Sequence, residues 1–551
     1  MVSPSEGCLL LWTLLTLCPL TLVAQWQTNM LEPRRVLVQL FEWKWTDVAL
    51  ECERFLGPKG YGGVQVSPPN EHAMIVDDAV TRPWWERYQP VSYNLESRSG
   101  TEDQFRDMIQ RCNSADVRIY VDVVINHMAI KGDEERGTAG SFHHPKSFSF
   151  PAVPYSRQNF NTGKGKCHSI DGEVHNYQDP VEVRNCNLEG LLDLDISEEH
   201  VRLQIIQYLN KLLDIGVAGF RVDAAKHMWP DDLDVIYDQL NNLNSKYFQT
   251  GARPFIYQEV IDHGGECISA TEYTPLGQVT EFKYGNKIAD GIRGINHLRW
   301  FKTFGETWNM LPSNHALVFI DNHDSQRERD TNNIITYEEP RFYKIASAFM
   351  LAHPYGTTRV MSSFKYQGNR DVGPPSTGSD NVTLSPIFDV EGLCDHDNGW
   401  VCEHRWREIR NMVGFRNAVG DTPLKNWWDN GFNQIAFGRG NKGFLVINNE
   451  DTLLCETLQT GLPAGDYCDI ISGDIRDGHC TGVVINVNKV GYATFVIEPD
   501  ETPMVAIHIH SKAKREKKYN YQIGFFAELL DVKQQVSSLS MMSIHELGLY
   551  K

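Results

Sequence analysis

Eight short apolar runs, each rich in β-branched and aromatic residues, recur along most of this chain. They are Arg35–Phe41, Gly62–Ser67, Arg118–Ile125, Ala218–Asp223, Phe255–Val260, Gln278–Phe282, Ala316–Asp321 and Thr358–Ser362. Stretches with helical spacing lie between several of them, notably Asp47–Leu56, Phe105–Cys112 and Glu198–Asp214. Strand–helix alternation of this kind specifies parallel strands with crossover helices. Eight repeats predict a closed (β/α)8 TIM barrel of the α/β class.

The alternation breaks twice. After the third strand, residues 126–193 form a polar stretch rich in Gly, His and Pro. A loop of that length inside a compact domain implies a functional excursion or a small inserted domain. After Asp421 the texture changes to short strands with Gly, Asn and Asp turns, as in Ile435–Gly440 and Gly443–Asn448, which predicts an all-β (Greek-key) C-terminal domain. The resulting plan is a leader at 1–24, a barrel over 25–125 and 194–421, an insertion at 126–193, a β domain at 422–511 and a tail of unknown role at 512–551. The tail opens on a basic run, Lys512–Lys518, and offers a short amphipathic stretch at Ile523–Val532. In the leader, the apolar run Cys8–Ala24 reads as a secretory signal cleaved before Gln25. Its first seven residues lack Lys and Arg, and Leu22 is large for its place. The alternative is an uncleaved anchor, but the run is short for a membrane span and contains Pro19. A net charge of -19 argues against nucleic-acid and anionic-membrane partners and suits a neutral soluble substrate. Secretion and extracellular localisation make disulfides expected among the 12 cysteines.

A barrel carries its working groups at the C-terminal ends of its strands. Here the third strand leads to Asp122 and Asn126–His127, the fourth to Arg221, Asp223, Lys226 and His227, the fifth to Gln258–Glu259, and the seventh to Asn322–His323–Asp324. Residues two apart on a strand face one side, so Arg221 and Asp223 point together. One such pair could simply be a structural ion pair. Carboxylates at several strand ends are costly to stability and point to chemistry. Without a Cys/His metal pattern, they suggest glycoside hydrolysis by paired carboxyls. A hard-cation site for Mg²⁺ or Ca²⁺ is the alternative.

GFRVDAAKH (219–227), YQEV (257–260), DNHD (321–324) and DVVINH (122–127) resemble the signature segments of the alpha-amylase family of glycoside hydrolases. FEWKW (41–45), GVQVSPPNE (63–71), RPWWERYQPVSY (82–93), HMWP (227–230), LAHPYG (351–356), RVMSS (359–363), WVCEHRWR (400–407) and FGRGN (437–441) are similar to animal-type alpha-amylases, from about Gln25 to Ser511. The resemblance implies a secreted, endo-acting enzyme that hydrolyses internal α-1,4-glucosidic bonds of starch or glycogen with retention. Asp223 then matches the nucleophile, Glu259 the general acid/base, and Asp324 the third carboxylate. Trp84, Trp85, Tyr88 and Gln89 match a glucose-stacking platform. His127, Tyr177, Lys226, His227 and His323 match further substrate contacts. One calcium ion (Ca2+) is implied, held by Asn126, Arg184, Asp193 and His227, with Arg184 and His227 acting through their carbonyls. One chloride ion is implied, at Arg221, Asn322 and Arg359; an anion there favours proton retention by the neighbouring acid. The implied disulfides are Cys52–Cys112, Cys167–Cys186, Cys394–Cys402 and Cys468–Cys480. The expected partner is an α-1,4-glucan polysaccharide as substrate, with no nucleic-acid or membrane partner, and the protein is expected to be a monomer.

The chain departs from that pattern in three places. The bridge between barrel and insertion is missing: Glu96 stands at one end, and no Cys lies between Cys112 and Cys167. Cys267 and Cys455 have no obvious partners and are expected as thiols, with mutual pairing as the alternative. The loop after Asp324, Arg327–Asn333, is short and charged where vertebrate enzymes have a Gly-rich one, which predicts a stiffer loop and an altered cleavage pattern. Alternatives to an amylase are a paralogue with maltase-like or transglycosylating preference and a non-catalytic barrel ectodomain. Retention of Asp223, Glu259 and Asp324 argues against the latter.

Overall fold

The computed structural model describes residues 25–76, 82–130, 135–327, 333–366, 368–377 and 382–514. The leader, the tail beyond residue 514, Asn381 of the sequence's N-glycosylation signal Asn381-Val-Thr and most of the charged loop (328–332) lie outside these residues.

Eight parallel strands close into a barrel: β1 Val36–Leu40, β2 Gly63–Val66, β3 Arg118–Val123, β4 Gly219–Val222, β5 Phe255–Gln258, β6 Gln278–Thr280, β7 Ala316–Val318 and β8 Thr357–Ser362. Neighbours in space are neighbours in sequence, and β8 closes on β1. Most of these strands are buried along their whole length, as expected for a parallel sheet covered by helices. All eight predicted apolar runs therefore contain a barrel strand.

The helices begin and end where local chemistry directs. The helix α1, Trp45–Glu51, runs into a wider π-type turn at Cys52–Leu56, and Cys52 bonds there to Cys112. In α2, Glu102–Ser114, Thr101 and Gln104 form a reciprocal capping box that satisfies two otherwise unpaired N–H groups. The longest crossover helix, α3 at Glu199–Ile215, stops at Gly216, whose φ of 120° suits glycine. The chain then enters β4 through Gly219. A Cβ there would lie 2.0 Å from the Phe255 carbonyl oxygen, so glycine allows β5 to lie hard against β4. That close approach brings the two most polar strand ends together.

The insertion leaves after β3 and returns before α3. Its two ends are tied by a small antiparallel pair, His127–Met128 with Leu192–Asp193, in which His127 faces Asp193. The C-terminal domain starts with β9 Leu424–Asp429, β10 Gln434–Arg439 and β11 Gly443–Asn448 and ends with β16 Met504–His508, all in one antiparallel sheet. Between them, β12 Leu454–Gln459 pairs with β15 Tyr492–Ile497, and β13 Gly465–Cys468 pairs with β14 Val484–Val487. This nested pairing gives a Greek-key type of winding. A separate apolar core built on Phe444, Tyr467 and Phe495 fills the domain.

Disulfides join Cys52 to Cys112, Cys167 to Cys186, Cys394 to Cys402 and Cys468 to Cys480. Where the further bridge is missing, Thr138 Oγ1 donates to the Glu96 carbonyl at 2.6 Å. The buried Glu71 carboxylate takes up the backbone N–H groups of Ala139 and Ser141 at 3.0 and 2.9 Å. Hydrogen bonds thus attach the insertion to the barrel there.

Candidate active site

Strand register sets the site. In β3 and β4, Asp122 pairs with Arg221; in β4 and β5, Val222 pairs with Gln258, so Asp223 and Glu259 leave the barrel side by side. Just past Asp223, Ala224 is forced to a positive φ of 49°, a conformation costly for a residue with a Cβ. That turn aims the Ala224 N–H at Glu259 Oε2, 2.9 Å away.

Arg221 sits at the centre. Its Nη1 donates to Asp122 Oδ1 at 2.6 Å and to Asp223 Oδ1 at 2.8 Å, and its Nη2 donates to Glu259 Oε1. Three buried carboxyls therefore share one guanidinium. Full ionisation would leave two uncompensated charges out of water, so the cluster retains a proton. Burial pushes Asp223 well above the usual carboxylate range, with Glu259 and Asp122 adding repulsion; Arg221 opposes but does not win. Asp122 is also raised by burial. The charge of Arg221 is divided among three acceptors.

A cleft of about 770 Å³ opens over this cluster, lined by Trp84, Trp85, Tyr88, Gln89, His127, Tyr177, Asp223, Lys226, His227, Glu259, His323 and Asp324. Every carboxylate, aromatic and histidine that the sequence reading placed at a substrate contact or in the chemistry thus faces one space. The histidines are neutral. Burial brings His127 and His227 down to about 4, and His323 falls well below its ordinary value. His323 Nδ1 meets the Gln39 amide nitrogen at 3.1 Å, which makes it the acceptor and leaves Nε2–H to face Asp324 Oδ2 at 3.2 Å. His127 has both nitrogens engaged, with Asn126 and the Tyr88 carbonyl. His227 donates from Nδ1 to the Val183 carbonyl at 2.8 Å, leaving Nε2 as an acceptor. Lys226 pairs with Glu266, donates to the Ile261 carbonyl at 2.8 Å and lies over the Tyr177 ring.

Two groups of buried polar atoms include members without a hydrogen-bond partner among the described residues. Asn126 Oδ1 is buried without a hydrogen-bond partner, and Asp193, 1% exposed, has its carboxyl pushed well up by burial with only amide donors beside it. The short helix Pro180–Asn185 brings Arg184 next to the His227 turn through the Val183 carbonyl. Among the described residues no group of three His, Cys, Asp or Glu could hold a metal, so a cation here needs carbonyl and amide oxygens. Those are the donors of this set, and they suit a hard cation. On the other side, Arg359 gives Nη1 to Gln65 Oε1 at 2.6 Å, while its buried Nη2 has no partner. Burial and the neighbouring Arg221 both work against its charge. Two buried guanidiniums with an unused N–H fit an anion. Arg221 is less free for it than expected, because its terminal nitrogens already serve carboxylates.

The sequence reading gave no role to several residues in this space. Asp122, buried and bound to Arg221, had a signal, being polar at a strand end. Arg327, Arg370, Asp371, Glu189 and Glu266 also line the cleft. Arg327 lies among the Phe41, Trp84, Phe364 and Tyr366 rings and donates to the His323 carbonyl at 2.6 Å. Cys267, on the rim, is an exposed thiol hydrogen-bonded to the Tyr177 carbonyl.

Residues 87–255 match the family model "Alpha amylase, catalytic domain", and residues 426–509 match "Alpha amylase, C-terminal all-beta domain". The chain is 53% identical over 504 residues to pancreatic alpha-amylase 2a5 of Mus musculus, covering 89% of this chain and 97% of that one. It is 54% identical over 505 residues to alpha-amylase 1A of Homo sapiens, with the same two coverages of 89% and 97%. Among solved structures, alpha-amylase I of Eisenia fetida superposes with a TM-score of 0.82 at 48% identity, over 87% of this chain and 98% of that one. The same worm enzyme is also known as a Glu-to-Gln variant in complex with maltohexaose, with the same similarity.

Proposed function

This chain belongs to the alpha-amylase family, and from that premise we infer how its cleft works. It is a glycoside hydrolase of alpha-amylase type that cleaves internal α-1,4-glucosidic bonds of starch-like glucans. The relatives named above are alpha-amylases and do not favour the maltase-like alternative.

We propose that Asp223 attacks the anomeric carbon while Glu259 protonates the departing oxygen. The glycosyl–Asp223 ester is then hydrolysed by water from which Glu259 takes a proton. Carboxyls bound to the two terminal nitrogens of one guanidinium are compatible with the roughly 5–5.5 Å separation of a retaining pair. The observation that carries this reading is the shared Arg221. Arg221 holds Asp223 through Nη1 and Glu259 through Nη2, and the Ala224 N–H holds the other oxygen of Glu259, so the two carboxyls of the proposed pair are fixed beside each other at adjacent strand ends. The same arrangement thus supplies an acid and a nucleophile. Asp324, oriented by His323 Nε2–H, accepts hydrogen bonds from sugar hydroxyls, and Trp84, Trp85 and Tyr88 stack against rings.

Calcium would be held by Asn126 and Asp193 side chains and by Arg184 and His227 carbonyls. It would fix the insertion against the turn that follows the nucleophile. Chloride would be held by Arg359 with Arg221 and Asn322, and its charge would favour a proton on the carboxyl cluster. Four disulfides fit an oxidising compartment, and among the described residues no helix is long and apolar enough to cross a membrane. Secretion as a monomer is the proposal that goes with them.

Reducing-sugar release from soluble starch, with and without chloride, tests the scheme beside Glu259→Gln. Loss of a proton donor lowers kcat by about 10²–10⁴-fold. Near-normal turnover in that variant would overturn the assignment, and equal rates at all chloride levels would remove the anion site alone.

A further inference from the structure

Arg327 is a buried cation whose packing does not explain its charge. It lines the cleft and is only 4% exposed. Its guanidinium lies 4.9–5.3 Å from the centres of the Phe41, Trp84, Phe364 and Tyr366 rings. Nη1 donates to the His323 carbonyl at 2.6 Å, whereas Nε and Nη2 are buried with no hydrogen-bond partner among the described residues. Ring faces attract a cation but supply no counter-charge, and donors left dry are costly. An apolar side chain would fill the same cage without that cost. The charge has a use elsewhere.

Its target is Asp324. Burial brings Arg327 down to about 10, so it stays protonated at neutral pH, and the negative charge of Asp324 is the strongest influence working the other way. The short turn Ser325–Arg327 ties the two residues together, with the Arg327 N–H donating to the Asp324 carbonyl at 2.9 Å. His323 joins the same assembly. Its ring stacks on Phe41 at 4.9 Å and on Tyr88 at 5.2 Å, and it meets Trp84 edge to face at 5.4 Å. Two of the rings that cage Arg327 therefore also fix the imidazole whose Nε2 faces Asp324 Oδ2 at 3.2 Å. His323 is neutral, so it can orient Asp324 but cannot offset its charge. The Asp324 side chain, 31% exposed, opens to the cleft.

We propose that Arg327 is a positioning residue for Asp324: its caged charge and its bond to the His323 carbonyl hold the third carboxylate in one orientation toward the sugar ring. This rests on the reading above, in which Asp324 accepts hydrogen bonds from sugar hydroxyls. The guanidinium acts through Asp324, whereas the bond chemistry belongs to Asp223 and Glu259.

A double-mutant cycle on the full chain tests it. Turnover of maltoheptaose and thermal unfolding are compared for wild type, Arg327→Met, Arg327→Lys, Asp324→Asn and the Arg327→Met/Asp324→Asn pair. Arg327→Met should lower kcat by up to about 10²-fold, the scale of a misplaced catalytic group, with KM within about threefold. Arg327→Lys keeps a cation in the cage without the planar fork and should turn over about tenfold faster than Arg327→Met. In the Asp324→Asn background, Arg327→Met should change kcat by less than about twofold, because the group it positions is gone. A packing role predicts the opposite: the loss persists beside Asp324→Asn, and thermal unfolding falls with it. Losses that multiply, or wild-type turnover in Arg327→Met, would overturn the proposal alone. Should Arg327→Met fail to fold, Arg327→Lys carries the same cycle, and its loss must vanish beside Asp324→Asn. Wild-type turnover in Asp324→Asn would overturn the reading of Asp324 and the proposal with it.

Discussion

Two buried arginine clusters in this molecule look alike and do opposite things. In the first, Arg405 grips Glu51 through two nitrogens, Nε to Oε1 at 2.7 Å and Nη2 to Oε2 at 2.5 Å, and His404 adds a third contact at 2.9 Å. One carboxylate has two basic partners. Burial works against its charge, yet these contacts prevail and hold Glu51 below the usual range. In the second, Arg221 faces Asp122, Asp223 and Glu259 together. Three carboxyls have one cation, and Asp122 and Asp223 are pushed up. The saturated cluster fixes charge and joins α1 to the segment before the last barrel helix. The oversubscribed one keeps a mobile proton beside a cleft. The ratio of partners, more than burial, separates a structural ion pair from a chemical one.

The sharpest way to break this comparison is to remove each arginine. Arg221→Ala should lower kcat on starch by about 10²–10³-fold, the scale of losing a preorganised charge at a reaction centre. Its stability at pH 5 should fall less, because the carboxyls left behind already favour protons. Arg405→Ala should do the reverse. It strands an ionised carboxylate and should cost about 3–5 kcal/mol of unfolding free energy, with kcat of the folded enzyme within about twofold. Urea unfolding and initial rates on the same preparations give both numbers. Similar stability losses for the two variants would mean that partner ratio is not the distinction.

Arg359→Ala is a smaller perturbation. It removes the unused N–H beside Arg221 but none of the carboxylate contacts. Turnover should become independent of chloride, because the guanidinium that would hold the anion is gone. Full chloride activation in the variant, read from a chloride titration, would place the anion elsewhere.

Much of this was visible in the one-dimensional pattern, and the exceptions share a cause. The period-two spacing put Arg221 and Asp223 on one face, and polar strand ends marked the open end of the barrel. The sharing of Arg221 was hidden, because it depends on Asp122 standing opposite Arg221 in the register of β3 and β4. Gly219 looked like an ordinary strand residue until the Phe255 carbonyl was seen against it. The Arg370 carbonyl and Asp371, which take up the indole N–H groups of Trp84 and Trp85, sit far along the chain from them, and nothing local in either segment announces the other. Helix positions were read well where capping and periodicity agree, as at α2. The π-type turn at Cys52–Leu56 has no periodic signature; the bond from Cys52 to Cys112 lies at its start. Local chemistry writes itself into sequence, whereas close approach and register are properties of the closed barrel.

Another buried carboxylate, which makes no ion pair among the described residues, extends the comparison. Glu403 is fully buried, accepts the Ser363 N–H at 2.7 Å through Oε2, and has no partner for Oε1. Burial pushes it up to about 7. A carboxyl raised in the folded state contributes stability that is fully present below its unfolded pKa, near 4.3, and is lost as pH rises through about 7. Glu51, lowered in the folded state, has the opposite sign: its contribution is present above the unfolded value and is lost on acidification. Glu403→Gln keeps the shape of the protonated acid and removes its titration. The variant should match wild type at pH 4 and exceed it at pH 8 by on the order of 3 kcal/mol, the linkage value of such a shift. Urea unfolding at the two pH values measures the difference. An equal effect at both, or a loss at pH 8, would show that Glu403 carries a compensated charge and belongs with Glu51.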